Sequence, residues 1–340
     1  MFSVYALVVT VVVIALVFDF LNGFHDAANA ISTVVIAKTL TPLQAVILAG
    51  CANFIGYFFF GTAVAKTIGT GVVDISRIMR DGNVHISILV ILAGLAGAAV
   101  WDLLTWIWGL PTSSSHALIG GLVGSALAAA GFDVIVIGGV LKIFSFIFIA
   151  PVLGFIMATM VTAAVHWIFR KQTPAGTTKL FRKMQLVTTS AYSISHGIND
   201  AQKTMGVIMI TLVAAGMRTP DAPIDHWIIL SCYIAISMGT MFGGWRIVKT
   251  MGTRITKIHA KEGICAETAS ATVLFVTAHF GIPVSTTHVI AGSIMGVGRV
   301  EHGANVRWIT ARKIVWAWIL TIPAAAACAA VTFLIINLFL

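Results

Sequence analysis

Four short polar motifs interrupt long apolar runs in this chain, and they form two pairs. GFHDAANA (residues 23–30) is similar to GINDAQKT (197–204), and PTSSSH (111–116) to PVSTTH (283–288). In the first pair Asp26 and Asn29 stand three residues apart, and His196 stands three residues before Asn199 and four before Asp200. On a helix each set shares one face. Carboxylate and amide oxygens suit a hard cation such as Na⁺ or Mg²⁺ better than a soft metal. Gly23 and Gly197 predict a break in each helix, which would free backbone carbonyls as further cation ligands. The competing reading makes each aspartate a cap or half of an ion pair, with Lys203 three residues after Asp200 as the partner. Ionisable groups between apolar runs are costly, which favours the functional reading.

The second pair reads as two helix starts. Proline suits a first helical turn and serine or threonine an N-cap. A helix start offers free N–H groups and a partial positive charge, and together these bind anions. The hydroxyls of Thr112, Ser113, Ser114, Ser115, Ser285, Thr286 and Thr287 add donors. Serine and threonine also bond back to the backbone in membrane helices, a packing role that suits a lone cluster better than a duplicated one. His116, His196, His288, Gln202 and Lys203 stand in or beside the motifs as supporting residues, and His25 could relay protons or hold a helix break. The four motifs hold no arginine and one lysine, Lys203. Two aspartates and a divalent oxyanion would concentrate negative charge in a low dielectric, so cations must enter with the anion or the carboxylates must be protonated. Coupled cotransport follows. Asp19, Asp102 and Glu267 also lie in apolar stretches, as proton or cation carriers or as paired structural acids.

The elements that must position these motifs are membrane helices. Of 340 residues 59% are hydrophobic and only 10% charged, against about 25% charged in soluble domains. Runs at 3–22, 43–65, 86–101, 140–168, 227–245 and 314–340 approach or exceed the length of a span. The fold class is an all-α polytopic membrane protein of 10–12 membrane segments. A cleaved signal peptide is not expected, because residues 1–22 lack a basic start. The net charge of +9 sits in short loops, so it reflects membrane orientation and not a nucleic-acid partner. The basic clusters at 170–183 and 246–261 (Arg246, Lys249, Arg254, Lys257, Lys261) should both be cytoplasmic. The four cysteines form no C-x-x-C pair and read as reduced packing residues.

The motifs recur after 172 residues (Pro111 to Pro283) and after 174 (Asp26 to Asp200), which indicates a duplication. The halves are 1–169 and 184–340, joined by the basic linker 170–183. Five segments per half place the N-terminus outside and make the repeat inverted, an arrangement with its site between the repeats. Segments 111–130 and 283–298 read either as short spans or as re-entrant hairpins, and in the second case 3–40 crosses twice. Trp101, Trp106 and Trp108 suit an interfacial belt, and the glycines of GGLVG and AGLAG close helix packing.

The paired motifs resemble those of the inorganic phosphate transporter family, the sodium- or proton-coupled phosphate permeases, over essentially the whole chain. The resemblance implies an inverted-repeat secondary transporter with two hairpins, a homodimer, and a bacterial inner-membrane location. It implies phosphate at Ser113, Ser114, Ser115, Ser285, Thr286 and Thr287, and coupling ions at Asp26, Asn29, Asn199 and Asp200. His25 stands where many members have Asn, and resembles the bacterial low-affinity permeases, which are proton-coupled and carry phosphate partly as a neutral metal–phosphate complex. The coupling ion is thus H⁺ or Na⁺, with a divalent metal as co-transported cargo and no resident cofactor or metal. Rival readings are a sulfate permease on the same scaffold, an anion channel, and an intramembrane hydrolase using Ser113 with His116. The hydrolase lacks any H-E-x-x-H or G-x-S-x-G motif, and its cluster is duplicated where one catalytic pair suffices.

Overall fold

A computed structural model describes residues 3–59, 61–80, 84–253, 255–302 and 306–339, and within these the side chains of residues 70, 80, 174, 175 and 302 are not described. Arg254 of the second basic cluster lies outside the described residues. The described residues form thirteen α-helices: α1 Val4–Ile36, α2 Pro42–Ile55, α3 Ala63–Gly71, α4 Ile75–Arg80, α5 Val84–Trp108, α6 Ser114–Ala130, α7 Ile137–Phe169, α8 Pro174–Ala214, α9 His226–Phe242, α10 Trp245–Thr253, α11 Ala260–His279, α12 Thr286–His302 and α13 Trp308–Leu338.

Five helical segments, namely α1, α2 with its short extension to Phe59, α5, α7 and α13, are long and apolar enough to cross a membrane. A sixth is the pair α9 and α10, bent by 73° at its break. The 41-residue α8 carries Lys179, Arg182, Lys183 and Gln185 near its start and His196, Asn199, Asp200, Gln202 and Lys203 in its middle, and both stretches make it polar. The outward faces of α7 and α13 are apolar and exposed, as at Leu141, Phe148, Met160, Trp316 and Leu334. Such surface suits lipid, where every backbone polar group is satisfied inside its own helix.

Packing partners come in matched pairs. Helix α6 lies chiefly on α13 and α12 on α7, and α1 and α8 both contact α9 and α2. The seams of α6 and α12 are alike in detail. A Cβ on Gly120 would stand 2.4 Å from the Ile322 carbonyl of α13, and one on Gly292 would stand 2.1 Å from the Pro151 carbonyl of α7. Only hydrogen side chains permit backbones this close. Pro151 and Pro323 lie inside α7 and α13 at corresponding positions.

The expected helix breaks at Gly23 and Gly197 are absent. Helices α1 and α8 run through both glycines without interruption. A Cβ on Gly23 would stand 2.1 Å from the Ile236 carbonyl of α9, and one on Gly197 would stand 2.7 Å from the Asn53 carbonyl of α2. These glycines admit a neighbouring helix, and the carbonyls around them remain in the helical ladder.

Two apolar cores frame the polar stretches. Helix α1 contributes Leu7, Val11, Ala15 and Phe18 to one and Ala28, Ile31 and Val34 to the other, with Asp19–Asp26 between. On α8, Tyr192 belongs to the second core and Ala201, Met205 and Ile208 to the first, so His196–Asp200 again fall between. The four cysteines are free. Of the three tryptophans, Trp108 is exposed, whereas Trp106 packs on Phe24 and lies beneath the Arg246 guanidinium.

Candidate functional site

Helices α1 and α8 each place one aspartate at the centre of the molecule, and both are almost fully buried. The starts of α6 and α12 converge on them. Ser113 caps α6 by accepting from the His116 N–H at 3.2 Å, and Ser285 accepts from the His288 N–H at the same distance. Pro111 and Pro283 each sit two residues before the capping serine, outside the first turn, where they end the preceding segment. The first backbone N–H groups of each helix lie outside the intrahelical ladder. His116 and His288 meet below the two starts, their rings 4.7 Å apart. His288 stacks on Trp318, which donates its indole N–H to the Pro111 carbonyl at 3.0 Å.

The hydroxyls of the second hairpin turn onto the carboxylates. Thr286 donates to Asp200 Oδ2 at 3.1 Å and lies 3.4 Å from Asp26 Oδ2, as does Thr287. Asn29 donates to Thr287 at 2.8 Å. In the first hairpin Ser115 accepts from Lys203, while Ser114 has no hydrogen-bond partner and faces Asp102. Thr112 donates to Thr105 at 2.9 Å and lies 3.4 Å from His25 Nε2.

The two aspartates have different companions. Lys203 bonds to Asp200, to Ser115 and, at 3.0 Å, to the Val284 carbonyl. An ammonium has three donors, so all are spent: one on Asp200 of the same helix and two on tying α8 to the two helix starts. Asp26 is paired with His25, whose Nδ1 donates to Oδ1 at 2.8 Å and whose Nε2 lies 3.2 Å from the Thr105 hydroxyl. His196 stands between. Its Nδ1 lies 3.2 Å from Asn53 Oδ1, and the Asn53 amide donates to Thr240 at 2.8 Å, which orients the asparagine with its oxygen toward the ring. His196 Nε2 is then 3.1 Å from Asp200 Oδ2 and 4.0 Å from Asp26 Oδ2, with no hydrogen bond of acceptable geometry. One atom each from Asp26, His196 and Asp200 lie within 4.8 Å of one another, close enough to hold a cation. This donor set consists of side chains only, since the unbroken helices keep their carbonyls.

Other expected residues lie at the margin. Asn199 donates to the Ser195 and Leu274 carbonyls and leaves its Oδ1 without a partner. The Gln202 oxygen accepts from the Val64 N–H at 2.9 Å and so caps α3. Asn53, Thr105 and Thr240 were not anticipated. Each is a single neutral polar residue in an apolar run, and its role exists only because α2, α5 and α9 pack on α1 and α8.

The sequence pattern of the phosphate transporter family matches residues 22–329. The chain is similar to a probable low-affinity inorganic phosphate transporter of Rhizobium meliloti, 46% identical over 334 residues and 98% of each chain. It is 42% identical over 332 residues to the protein of the same description in Bacillus subtilis, again over 98% of both. A solved structure described as the sodium-dependent phosphate transporter shares the fold, with a TM-score of 0.86 at 24% identity, covering 98% of this chain and 100% of that one. With a family pattern spanning both aspartates and both helix starts, the chain belongs to the phosphate transporter family, is an integral membrane protein and is not an enzyme.

Proposed function

We propose that the chain takes up inorganic phosphate by symport with a cation, H⁺ or Na⁺, with a divalent metal–phosphate complex as a further form of the cargo. The observation that carries this reading is His196. Its Nδ1–H is engaged by Asn53, so in the neutral ring Nε2 presents a lone pair to two carboxylates at 3.1 and 4.0 Å. That arrangement calls for a positive species between them, either a proton on the ring or a bound cation. Lys203 is already neutralised by Asp200, so a phosphate dianion arriving between the helix starts meets no uncompensated cation. The cation therefore comes with the substrate.

In this reading Thr112, Ser113, Ser114, Ser115, Ser285, Thr286 and Thr287, with the free N–H groups of both helix starts, receive the phosphate oxygens. Asp26, Asn29, Asn199, Asp200 and His25 serve the coupling ion. Thr286 and Thr287 leave the carboxylates for the substrate when a cation takes their place. An aspartate can accept the proton that phosphate carries and sulfate lacks, which favours phosphate.

Two inverted repeats, 1–169 and 184–340, are supported by the matched seams of α6 on α13 and α12 on α7. A cytoplasmic linker 170–183 is supported by a cavity of ≈ 530 Å³ lined by Arg170, Gln172 and Phe181 together with His259, Lys261 and Glu262. That cavity brings Arg170 of one basic cluster near Lys261 of the other; in this reading both clusters face the cytoplasm and the N-terminus lies outside. A bacterial inner-membrane homodimer completes the proposal and rests on the family resemblance.

The test is radiolabelled phosphate uptake into proteoliposomes under an imposed pH or Na⁺ gradient, with sulfate as competitor. Gradient-driven accumulation that sulfate does not suppress is expected. Phosphate flux indifferent to both gradients would overturn the coupling, and preferential sulfate uptake would overturn the substrate.

A further inference from the structure

The mechanism above leaves three fully buried acids unused: Glu267, which accepts from Thr33, Thr188 and Gln185, Asp102, which lies beside His25 and Ser114, and Asp19. Asp19 lies on α1 two turns before Asp26, between α8 and α9, and is 0% exposed. Neither of its oxygens has a hydrogen-bond partner among the described residues. The Thr204 hydroxyl is close enough to act on it yet closes no bond of normal geometry. Asn22 Oδ1 one turn along α1, Thr204 Oγ1 and the Tyr233 hydroxyl are likewise buried and without partners. The ionisable groups that act on Asp19 are Asp200 and Lys203 from α8 and Cys232 and Tyr233 from α9. Asp200 and Lys203 form a pair of zero net charge, and Cys232 and Tyr233 are neutral. An ionised Asp19 would be a buried negative charge with no opposite charge of its own, a costly state that neutralisation relieves.

We propose that Asp19 is a proton-carrying site for phosphate transport, separate from the Asp26–His196–Asp200 cluster. This deepens the symport reading and rests on it. A proton suits the site better than a metal cation. A hard cation needs several oxygen ligands, and the unbroken α1 offers no free carbonyl here, whereas a proton needs one carboxylate oxygen. In each cycle an O–H bond forms on Asp19 with a proton from the outer side and breaks on release to the inner side, with no oxidation or reduction. Bound phosphate adds negative charge beside Asp200 and Lys203 and so favours the protonated Asp19. By linkage, the protonated Asp19 favours bound phosphate to the same degree.

The test compares wild type, Asp19→Asn and Asp19→Glu in proteoliposomes with the membrane potential clamped. Two quantities are read: phosphate exchange at equal pH, and the equilibrium accumulation ratio under a pH gradient. Each coupled proton multiplies that ratio by about ten per pH unit. Asp19→Asn is expected to lose one such factor relative to its exchange rate, and Asp19→Glu to regain it. An unchanged ratio in Asp19→Asn overturns the proposal, as does accumulation driven by Na⁺ alone and lost in that variant. If Asp19→Asn exchanges too slowly to measure, infrared spectra of the purified proteins decide. The carbonyl band of a protonated carboxylic acid should be weaker in Asp19→Asn, and identical spectra overturn the proposal. A wild type that carries no phosphate would sink the function reading instead, and the infrared comparison would still judge Asp19.

Discussion

The two copies of the aspartate motif have kept their acids and exchanged their companions. Asp200 faces the permanent charge of Lys203, which also holds Ser115 of one helix start and the Val284 carbonyl before the other. Asp26 faces His25, a group that titrates near neutral pH when unperturbed. The helix starts have diverged in the same way. In α12, Thr286 and Thr287 lie on the carboxylates, while in α6, Ser115 is held by Lys203 and Ser114 is left without a partner. Each half of the chain carries one such acid and one hydroxyl-rich helix start. In one half a lysine ties the acid to both helix starts, and in the other a histidine stands in its place.

The sharpest way to break this contrast is to remove the lysine. Lys203→Met strands Asp200 as an uncompensated buried charge, and breaking such a pair costs roughly 3–5 kcal/mol. Phosphate uptake should vanish and the thermal midpoint in detergent should fall. The double variant Lys203→Met/Asp200→Asn should recover most of the stability without the transport. The same loss of stability in His25→Asn would erase the distinction between the two halves.

Asn53→Ala comes next. It removes the acceptor that orients His196 without touching either carboxylate. Supporting residues of this kind alter cation affinity by about 10–100-fold. The cation concentration or acidity needed for half-maximal uptake should rise accordingly while the phosphate KM changes less. A KM effect alone would reassign Asn53 to the phosphate site.

Thr286→Val tests the hydroxyls of α12 against those of α6. A hydrogen bond to a charged group contributes about 1.5–3 kcal/mol, so this variant should be less stable than Ser114→Ala, whose hydroxyl has no partner. Both should raise the phosphate KM in uptake assays. Equal stability losses would mean that the helix starts do not differ in the way described.

The smallest effect is expected from Gln202→Leu. It removes the cap of α3 and leaves the Val64 N–H buried, costing about 1–3 kcal/mol, with phosphate KM and cation dependence close to wild type. A large shift in either would bring Gln202 back into the site.

Part of this was legible in the residues, and the physical reason is the cost of polarity in lipid. An aspartate or a run of hydroxyls between apolar segments has few neutral explanations, so Asp26, Asp200 and both serine–threonine clusters stand out without any coordinates. The glycines misled. Gly23 and Gly197 carry the same sequence signal whether they break a helix or admit a neighbour, and only the approach of Ile236 and Asn53 separates the two. Gln202 shared the motif and so was read with it, yet its oxygen accepts from the Val64 N–H of α3.

The sequence by itself determined a helical membrane protein with duplicated motifs, because chain-local properties settle those points: hydropathy over a span, helix-start chemistry and the spacing of repeats. Tertiary structure alone decided that Thr286 and Thr287 reach Asp26, that His196 is aimed by Asn53, and that Asp19 is left without a partner among the described residues. Those outcomes depend on which helices meet, and contacts between residues more than a hundred positions apart have no signature in local composition.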